Sequence, residues 1–424
     1  IWHPHSFRSD LGGMVNNPDR GDSYVPTTSA VVYLSRRGHH IYNGSAWVNE
    51  GILHESEART NQMIYSGDLT GAGWTGGATA GTVTAGSPFG TYQTLSPNSS
   101  NTSLGPAQIY QIGKPITSGA TYVGWALVKY SVGSGWFALN MYDTGKANEQ
   151  VYFDVQNGVV GSKQSLIIDH GMIDYGDGWW LCWASSNAAS GSGGLSLELP
   201  NGDGVQSCTA TDVILIAGSQ LEQGSTPSSY IPTVVATTRA AETLTVPAAN
   251  LPYNSTNMSI QMDGKMTYAD NASFTEVVAY KWQADSSNFI QGYLGTTGAD
   301  TGEPVWRSVA AGVSDYIIGS ATYYSPDINV PFNRSARFGS TFMNGALDGT
   351  ALTANTTLTA LPDLSSTDLN LGSTFMGTIR EFRMWSDDIT DVGITEATLP
   401  STEPSLSLTF DGSETSFIVL DWSE

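Results

Sequence analysis

The chain has 424 residues, with 17 lysines and arginines against 39 aspartates and glutamates and a formal net charge of −22. A chain of this length exceeds the size at which one hydrophobic core stops growing, so two or three domains are expected. Because lysine and arginine form no extended cluster, the composition excludes nucleic acid as a partner and argues against anionic membranes. Charged residues make up 13% of the chain and glycine reaches 47 residues, which is typical of short strands joined by many turns.

The two cysteines, Cys182 and Cys208, are too few for a disulfide scaffold or a four-cysteine zinc site. One bridge between them is possible. Cys182 lies in the apolar run 179–183, however, and this position favours a buried thiol.

No apolar run is long enough to span a bilayer, and the start of the chain lacks the basic and apolar regions of a signal peptide. Ile1 is not a natural first residue. We therefore expect that an upstream piece has been removed, and a targeting signal could have gone with it.

Residues 1–60 predict an N-terminal arm that docks against something larger. Within the arm, the runs 40–42 and 46–48 alternate in polarity on either side of an Asn43-Gly44 turn. An Asn-Gly pair tolerates positive φ, so this pattern predicts a short β-hairpin.

Residues 61–238 predict an antiparallel jelly roll, because short runs of alternating polarity are closed again and again by Gly, Ser or Asn. These runs are 122–128, 136–142, 151–155, 178–183 and 213–217. In the run 178–183 the alternation sends Trp180 and Cys182 to one face and Trp179, Leu181 and Trp183 to the other. Both faces are apolar, so this strand is expected in the interior.

The segment 223–233 breaks the pattern with two prolines, and we place a domain boundary just after it. Residues 239–424 then resume the strand pattern and predict a second sandwich. Its clearest runs are 258–262, 275–282, 289–294 and 378–385. A single helical turn is expected around Thr395 to Thr398, too short to carry the architecture. The chain is therefore predicted to be all-β: an arm followed by two antiparallel β-sandwiches.

An ordered series of short motifs runs from Gly51 to Glu242. Its members are 51–55, 57–61, 65–66, Trp74, 176–180, 218–222, 228–233 and 238–242. This series resembles a domain of bacteriophage tail-fibre, head-spike and related gene-transfer-agent proteins. The resemblance implies a jelly roll similar to carbohydrate-binding modules.

The last part of the chain resembles a laminin-G or concanavalin-like sandwich. The residues that carry this resemblance are 337–339, 343–345, 347–349, 369–373 and 375–385. Most of them are turn signals, so they support the fold and say little about a ligand.

A sugar site needs exposed aromatic faces beside groups that hydrogen-bond hydroxyls, although aromatic residues in strands are more often buried. Trp306 follows Gly302-Glu303-Pro304 and precedes Arg307, so we predict that it stays exposed beside polar groups. The candidate ligand-binding residues are Trp306, Arg307, Glu303, Trp282, Tyr323, Tyr324, Trp125 and Trp136.

No catalytic residue is predicted, because we find neither a carboxylate pair nor a Tyr, His and Arg group placed as in sandwich hydrolases and lyases. If turnover were seen, Glu276 and Glu303 would be the first carboxylates to test. No metal or cofactor is predicted either, since the pairs His3/His5 and His39/His40 lack further ligands at suitable spacing. A calcium ion is left open at the acidic segments 263–264, 270–271 and 300–303.

These observations and resemblances predict a non-catalytic fibre or spike subunit on a virion surface, or otherwise an extracellular protein, which binds host surface polysaccharide. The arm would attach it to other virion structural proteins, and a homo-oligomer such as a trimer is expected. A polysaccharide-degrading enzyme and a purely structural capsid or tail decoration are the alternatives.

Overall fold

The computed structural model describes residues 36–37, 39–98, 107–146, 149–270, 277–358, 360–399 and 417–421, with strand positions alone for 36–37 and 417–421. The protein is almost entirely β. Its N-terminal part contains β1 Arg36–Arg37, β2 His40–Tyr42, β3 Trp47–Asn49, β4 Ile52–Glu55 and β5 Arg59–Asn61.

The first sandwich is built from strands that follow the alternating runs of the sequence. They are β6 Thr75–Gly76, β7 Ala78–Ala80, β8 Thr84–Ser87, β9 Gly90–Pro97, β10 Ala107–Pro115, β11 Thr121–Val132, β12 Trp136–Asp143, β13 Gln150–Asp154, β14 Val159–Lys163, β15 Ile167–Asp174, β16 Trp179–Asn187, β17 Ser192–Leu199 and β18 Val213–Gln223. One antiparallel sheet runs β14-β13-β12-β17-β10-β6, and the facing sheet runs β15-β16-β11-β18-β9-β7 with β8 beside β9. Their inner faces enclose a core that includes Phe137, Phe153 and Leu197.

Strand β16 is buried on both faces. Cys182 and Trp180 pack into the core between the two sheets. Trp179, Leu181 and Trp183 belong to a second apolar cluster on the other face of the same sheet. The predicted split of side chains along this strand is confirmed, and the second cluster gives the sheet a covered outer face.

The second sandwich follows. It is preceded by β19 Thr237–Arg239, which pairs with β5. Its strands are β20 Leu244–Val246, β21 Asn257–Tyr268, β22 Val277–Asp285, β23 Asn288–Leu294, β24 Pro304–Ala310, β25 Val313–Ile318, β26 Asp327–Gly339, β27 Met343–Leu347, β28 Thr350–Ala351, β29 Leu369–Leu371, β30 Met376–Trp385 and β31 Phe417–Asp421. The helix α1 spans Thr390–Ala397, and short 3-10 helices lie at Ala248–Asn250 and Gly298–Asp300. One sheet runs β20-β29-β22-β23-β24-β25. The other runs β1-β4-β30-β21-β26-β27-β28, with β31 beside β30. Both sheets are antiparallel, and their core includes Trp282, Trp306 and Phe382.

The predicted hairpin is confirmed. Strands β2 and β3 pair with Tyr42 opposite Trp47, and the backbone N–H of Asn43 donates to the carbonyl of Ala46 across the turn. Gly44 has φ +92°, which a glycine adopts without strain.

The second half of the expected arm pairs with strands of the rest of the chain. Strand β4 pairs with β30, with Glu55 opposite Met376 and Ile52 opposite Ile379. Strand β5 pairs with β19, with Arg59 opposite Arg239 and Asn61 opposite Thr237, so the end of the predicted arm lies beside the boundary between the two predicted sandwiches. All four residues of β4 are buried, and Ile52 packs into the core of the second sandwich. The predicted boundaries of the two sandwiches stay predictions.

The structure also tests the predicted helical turn and the pairing of the two cysteines. Helix α1 has eight residues from Thr390, longer than the single turn expected around Thr395 to Thr398. Cys182 and Cys208 are both buried and no disulfide joins them, as the apolar surroundings of Cys182 indicated. In the part of the chain that is described, no helix has the length and apolar character needed to cross a membrane.

Candidate functional site

Three of the predicted ligand-binding tryptophans lie in hydrophobic cores. Trp125, Trp282 and Trp306 each have 0% of their surface exposed, so the expectation that Trp306 is available is wrong. Strand β24 begins at Pro304, two residues before Trp306, and alternation turns the indole into the space between the sheets. The Gly302-Glu303-Pro304 sequence before Trp306 resembles a loop, but it leads into β24, which has a neighbouring strand on each side.

The other predicted residues do not form one site. Tyr324 is buried, whereas its neighbour Tyr323 is 42% exposed, and their rings lie 4.8 Å apart. Trp136 is partly buried against Gly161 in the first sandwich. Arg307 and Glu303 are partly exposed on and beside the sheet that contains β24. Burial raises the pKa of the Glu303 carboxyl, with a smaller contribution from the charge of Asp300.

The acidic segments considered for calcium are engaged in contacts of their own. Asp263 lies within β21, not in a loop, and its Oδ2 accepts a hydrogen bond of 3.0 Å from Nε of Arg380. Asp270 accepts a hydrogen bond of 2.7 Å from the hydroxyl of Thr301. Asn271 and Glu276 lie outside the described residues. Among those described, no three His, Cys, Asp or Glu residues gather closely enough to hold a metal ion.

Residues from three of the segments that carried the phage-protein resemblance meet in one largely buried cluster, which we call the junction network: His54, Glu55, Ser229, Arg239 and Glu242. Glu55 forms an ion pair with Arg239 and accepts hydrogen bonds from the backbone N–H and the hydroxyl of Ser229, at 2.8 and 2.6 Å. Glu242 accepts a hydrogen bond of 2.7 Å from the backbone N–H of Glu55. Nε2 of His54 is 2.8 Å from the carbonyl oxygen of Gly372, in the second sandwich.

The junction network continues toward the first sandwich through two further buried residues, Arg59 and Glu222. Nη1 of Arg59 donates to the carbonyl of Gln223 at 2.7 Å, and Arg59 also pairs with Glu57 at 2.6 Å. Glu222 accepts hydrogen bonds from the N–H and hydroxyl of Ser228, at 2.8 and 2.6 Å. Buried carboxylates held by so many donors are structural, because each contact fixes one segment against another. The motif residues therefore join the sandwiches.

A cleft opens beside this network, where the hairpin, the first sandwich and the second sandwich meet. Its volume is about 110 Å³. Four partly exposed aromatic rings line it, and each ring contacts the next in the order Tyr42, Trp47, Tyr175 and Phe89. Their ring centroids are separated by 5.6 Å, 6.0 Å and 5.9 Å along that order, each pair at a steep angle. We call the cleft lined by these four rings and by His40, Asp174, Asn329 and Glu55 the junction cleft.

Each ring is positioned by a specific local feature. Tyr42 and Trp47 are direct cross-strand partners in the hairpin, so they share one face. A Cβ on Gly176 would lie 3.0 Å from the ring of Tyr42, so the missing side chain leaves space for the hairpin to dock. Phe89 stacks at 4.7 Å on the buried Tyr230, which ties the cleft to the apolar cluster on β16.

Polar side chains stand among the rings. His40, Asp174 and Asn329 line the cleft from three different elements, and Glu55 of the junction network lies at its base. Burial raises the pKa of Tyr175 to about 12, and the nearby charge of Glu55 adds to that shift, so the phenol is a neutral hydrogen-bond donor at physiological pH. Aromatic faces beside such groups match the apolar face and the hydroxyl rim of a sugar ring.

Reasoning from sequence alone missed this cleft. The hairpin was predicted, and its Tyr42 and Trp47 were already readable as facing partners across the Asn43-Gly44 turn. An exposed hairpin with two large aromatic residues on one face was the available signal. What the sequence could not give was the surface opposite, because Phe89 and Tyr175 are far away in the chain.

No protein-family model matches the sequence, and no curated protein matches it. Among solved structures, the botulinum neurotoxin serotype D binding domain is similar at 13% identity and a TM-score of 0.28, over 35% of this chain and 37% of that one. The CBM40 of a Ruminococcus gnavus IT-sialidase is similar at 10% identity and 0.27, over 37% and 96%. Domains LG4-5 of the mouse laminin alpha1 chain align at 10% identity and 0.25, over 65% and 85%. The chain thus spans little more than a third of the neurotoxin domain, and likeness this weak carries no information about a ligand.

Proposed function

We propose that this protein is a glycan-binding protein and that the junction cleft is its binding site. One observation carries the proposal: partly exposed Tyr42, Trp47 and Tyr175 stand edge to face around a cleft that His40 and Asp174 also line. Ligand sites combine apolar contact area with a few placed polar groups, and this combination suits a pyranose. The cleft is small, so it takes one sugar unit while the rest of the polysaccharide remains outside.

Binding without turnover is part of the proposal. The two carboxylates that line the cleft are Glu55 and Asp174. Glu55 is held by Arg239 and Ser229, and Asp174 accepts a hydrogen bond of 2.8 Å from the backbone N–H of Gly176. These contacts fix both carboxylates within the protein, so we assign neither of them a proton-transfer role. We therefore expect no release of reducing ends from a bound polysaccharide.

The proposal that the protein is a subunit of a phage-type fibre or spike, acting at a particle surface as a homo-oligomer, is supported by the ordered motif series alone. Its direct test is adsorption: particles that lack the protein should lose attachment to host cells. Mass photometry of the purified protein would give the copy number.

The cleft is tested by a glycan array followed by calorimetry with the best ligand. Trp47→Ala should weaken binding by about 2 kcal/mol, which is the usual cost of losing an aromatic anchor. The matched control is Tyr142→Ala, which removes an aromatic side chain 41% exposed elsewhere on the first sandwich and should leave affinity unchanged. Trp47→Phe keeps a ring in place and should retain part of the affinity. Equal affinity of Trp47→Ala and the wild type would reject the junction cleft as the site.

A further inference from the structure

A row of side chains crosses the outer face of one sheet of the second sandwich, which is the face opposite to the core. Strand register places Asn370, Lys281, Gln291, Arg307 and Tyr316 directly opposite one another on β29, β22, β23, β24 and β25. We call these five residues the sheet row. Side chains in register share one face. The adjacent residues Tyr280, Trp282 and Trp306 point into the core, so the sheet row lies on the outer face of the sheet, where Gln291 is only 4% exposed.

Two cations of the sheet row flank one aromatic ring. Nζ of Lys281 lies 4.9 Å and the guanidinium carbon of Arg307 lies 5.0 Å from the ring centroid of Phe289. The same guanidinium lies 5.3 Å from the ring of Tyr316, which is 38% exposed. These contacts hold the two cations in place on the sheet without neutralising their charge.

Neither cation forms an ion pair with a carboxylate in the described part of the chain. Elsewhere, Lys265 pairs with Glu50 at 2.8 Å and Arg337 pairs with Asp388 at 2.8 Å. Asp315 precedes Tyr316 in sequence but lies on the opposite face of the strand, within 3.5 Å of the Asn355 amide.

Arg307 also has unused donor capacity. Its Nη2 donates to the hydroxyl of Ser314 at 3.0 Å, and its Nη1 donates no hydrogen bond within the described residues; the Nε–H is buried and also has no acceptor there. A guanidinium has five N–H donors in a planar fork that matches a carboxylate. An incoming carboxylate could therefore be bound by Arg307 without breaking an existing ion pair.

We propose that the sheet row is a second binding site, selective for saccharides that carry a carboxylate, such as uronic acids. Arg307 and Lys281 bind the carboxylate above Gln291, and the exposed ring of Tyr316 contacts the apolar face of the sugar. The site shares no residue with the junction cleft, so it is independent of the function proposed for that cleft. It gives the protein a preference for acidic polysaccharide despite its net negative charge.

The test is calorimetry of the full chain with three ligands: hexagalacturonate, its fully methyl-esterified form, and a hexasaccharide of otherwise neutral sugars that carries sulfate groups. We expect hexagalacturonate to bind and the methyl ester to bind at least about tenfold more weakly, since a charge-assisted hydrogen bond contributes well over a factor of ten. Arg307→Gln and Lys281→Gln should each weaken hexagalacturonate binding by about tenfold. Arg307→Lys keeps the charge but loses the fork, so it should fall between wild type and Arg307→Gln.

The matched control is Lys129→Gln, which changes the net charge equally but removes a cation paired with Asp177 on the first sandwich. It should bind hexagalacturonate like the wild type, and so should Trp47→Ala. Binding of the sulfated sugar without binding of hexagalacturonate would overturn the assignment of the site to a carboxylate. Failure of hexagalacturonate to bind, or equal binding of the methyl ester, or unchanged binding in Arg307→Gln and Lys281→Gln, would also overturn the proposal.

Discussion

The guanidinium of Arg334 lies over the indole of Trp306, with its central carbon 4.6 Å from the ring centroid, inside the second sandwich. Arg334 donates to the carbonyls of Tyr293 and Val305 at 3.1 and 2.8 Å. Gly345 lies on β27, and a Cβ added to it would be 2.5 Å from the same indole ring. Trp306 is thus enclosed by a buried cation and a glycine that leaves room for it.

Trp306→Ala should lower the free energy of unfolding by about 3 to 5 kcal/mol, because it leaves a large cavity and uncovers the buried charge of Arg334. Urea unfolding followed by fluorescence and circular dichroism measures the change. Tyr142→Ala, at an exposed aromatic position, should change stability by less than about 1 kcal/mol. A stable Trp306→Ala variant with reduced glycan affinity would contradict its assignment to the core.

Glu55→Gln should destabilise the protein by about 3 to 5 kcal/mol, because the buried guanidinium of Arg239 would lose its counter-charge. The surface pair of Lys129 and Asp177 provides the comparison. Asp177→Asn should cost no more than about 1 kcal/mol, as solvent already screens that pair. Thermal unfolding of both variants in one buffer separates the two kinds of ion pair, and similar losses would show that the junction network is not what joins the sandwiches.

Gly224→Ala should displace Arg59 from its partners. A Cβ at this position would lie 1.4 Å from Nη1 of Arg59, and the backbone has φ +149°. We expect a loss of about 1 to 3 kcal/mol. Gly119→Ala is the control, since Gly119 has φ +83° but nothing within 4 Å of its added Cβ. If both variants lose equal stability in urea titrations, backbone strain alone explains Gly224, and Arg59 is not involved.

Glu198 should make stability depend on pH in a defined direction. Burial raises its pKa above the ordinary value of 4.5, against the pull of hydrogen bonds from Asn140, Ser196 and Gln150. Between 4.5 and its folded-state pKa, the folded protein binds more protons than the unfolded chain, so stability falls as the pH rises. Glu198→Gln should remove this part of the slope in urea unfolding measured from pH 4 to pH 7. A slope unchanged by the substitution would assign the pH dependence to another group.

Both cysteines should resist alkylation in the folded protein. Burial raises the pKa of the Cys182 thiol, which disfavours its thiolate, and burial of Cys208 keeps the reagent away from its sulfur. Mass spectrometry after iodoacetamide treatment should find no label under native conditions and two labels in guanidinium chloride. Rapid labelling of Cys182 in the native protein would mean that β16 opens readily.

The sequence predicted features that depend on neighbouring residues. The two-faced burial of β16 follows from alternation, and the hairpin at Asn43-Gly44 follows from turn chemistry, so both could be read directly. Trp306 was misread because Gly302 and Pro304 look like a loop, although Pro304 only begins a strand. The cleft escaped prediction since Trp47 and Tyr175 meet through tertiary packing, which no local pattern records.

The pairing of β4 with β30 determines how the protein can be made and divided. His54 contacts the carbonyl of Gly372 across a separation of 318 residues, so during synthesis β4 leaves the ribosome long before its partner exists. Until β30 arrives, the apolar side chains of β4 must be protected from other chains, and long-range pairing of this kind folds slowly. A fragment that begins at residue 239 would expose the edge of β30 where Ile52 and Leu53 belong, and such an edge invites aggregation. The second sandwich is therefore expected to be soluble by itself only when a segment containing residues 50–61 is supplied with it, either fused or as a separate peptide.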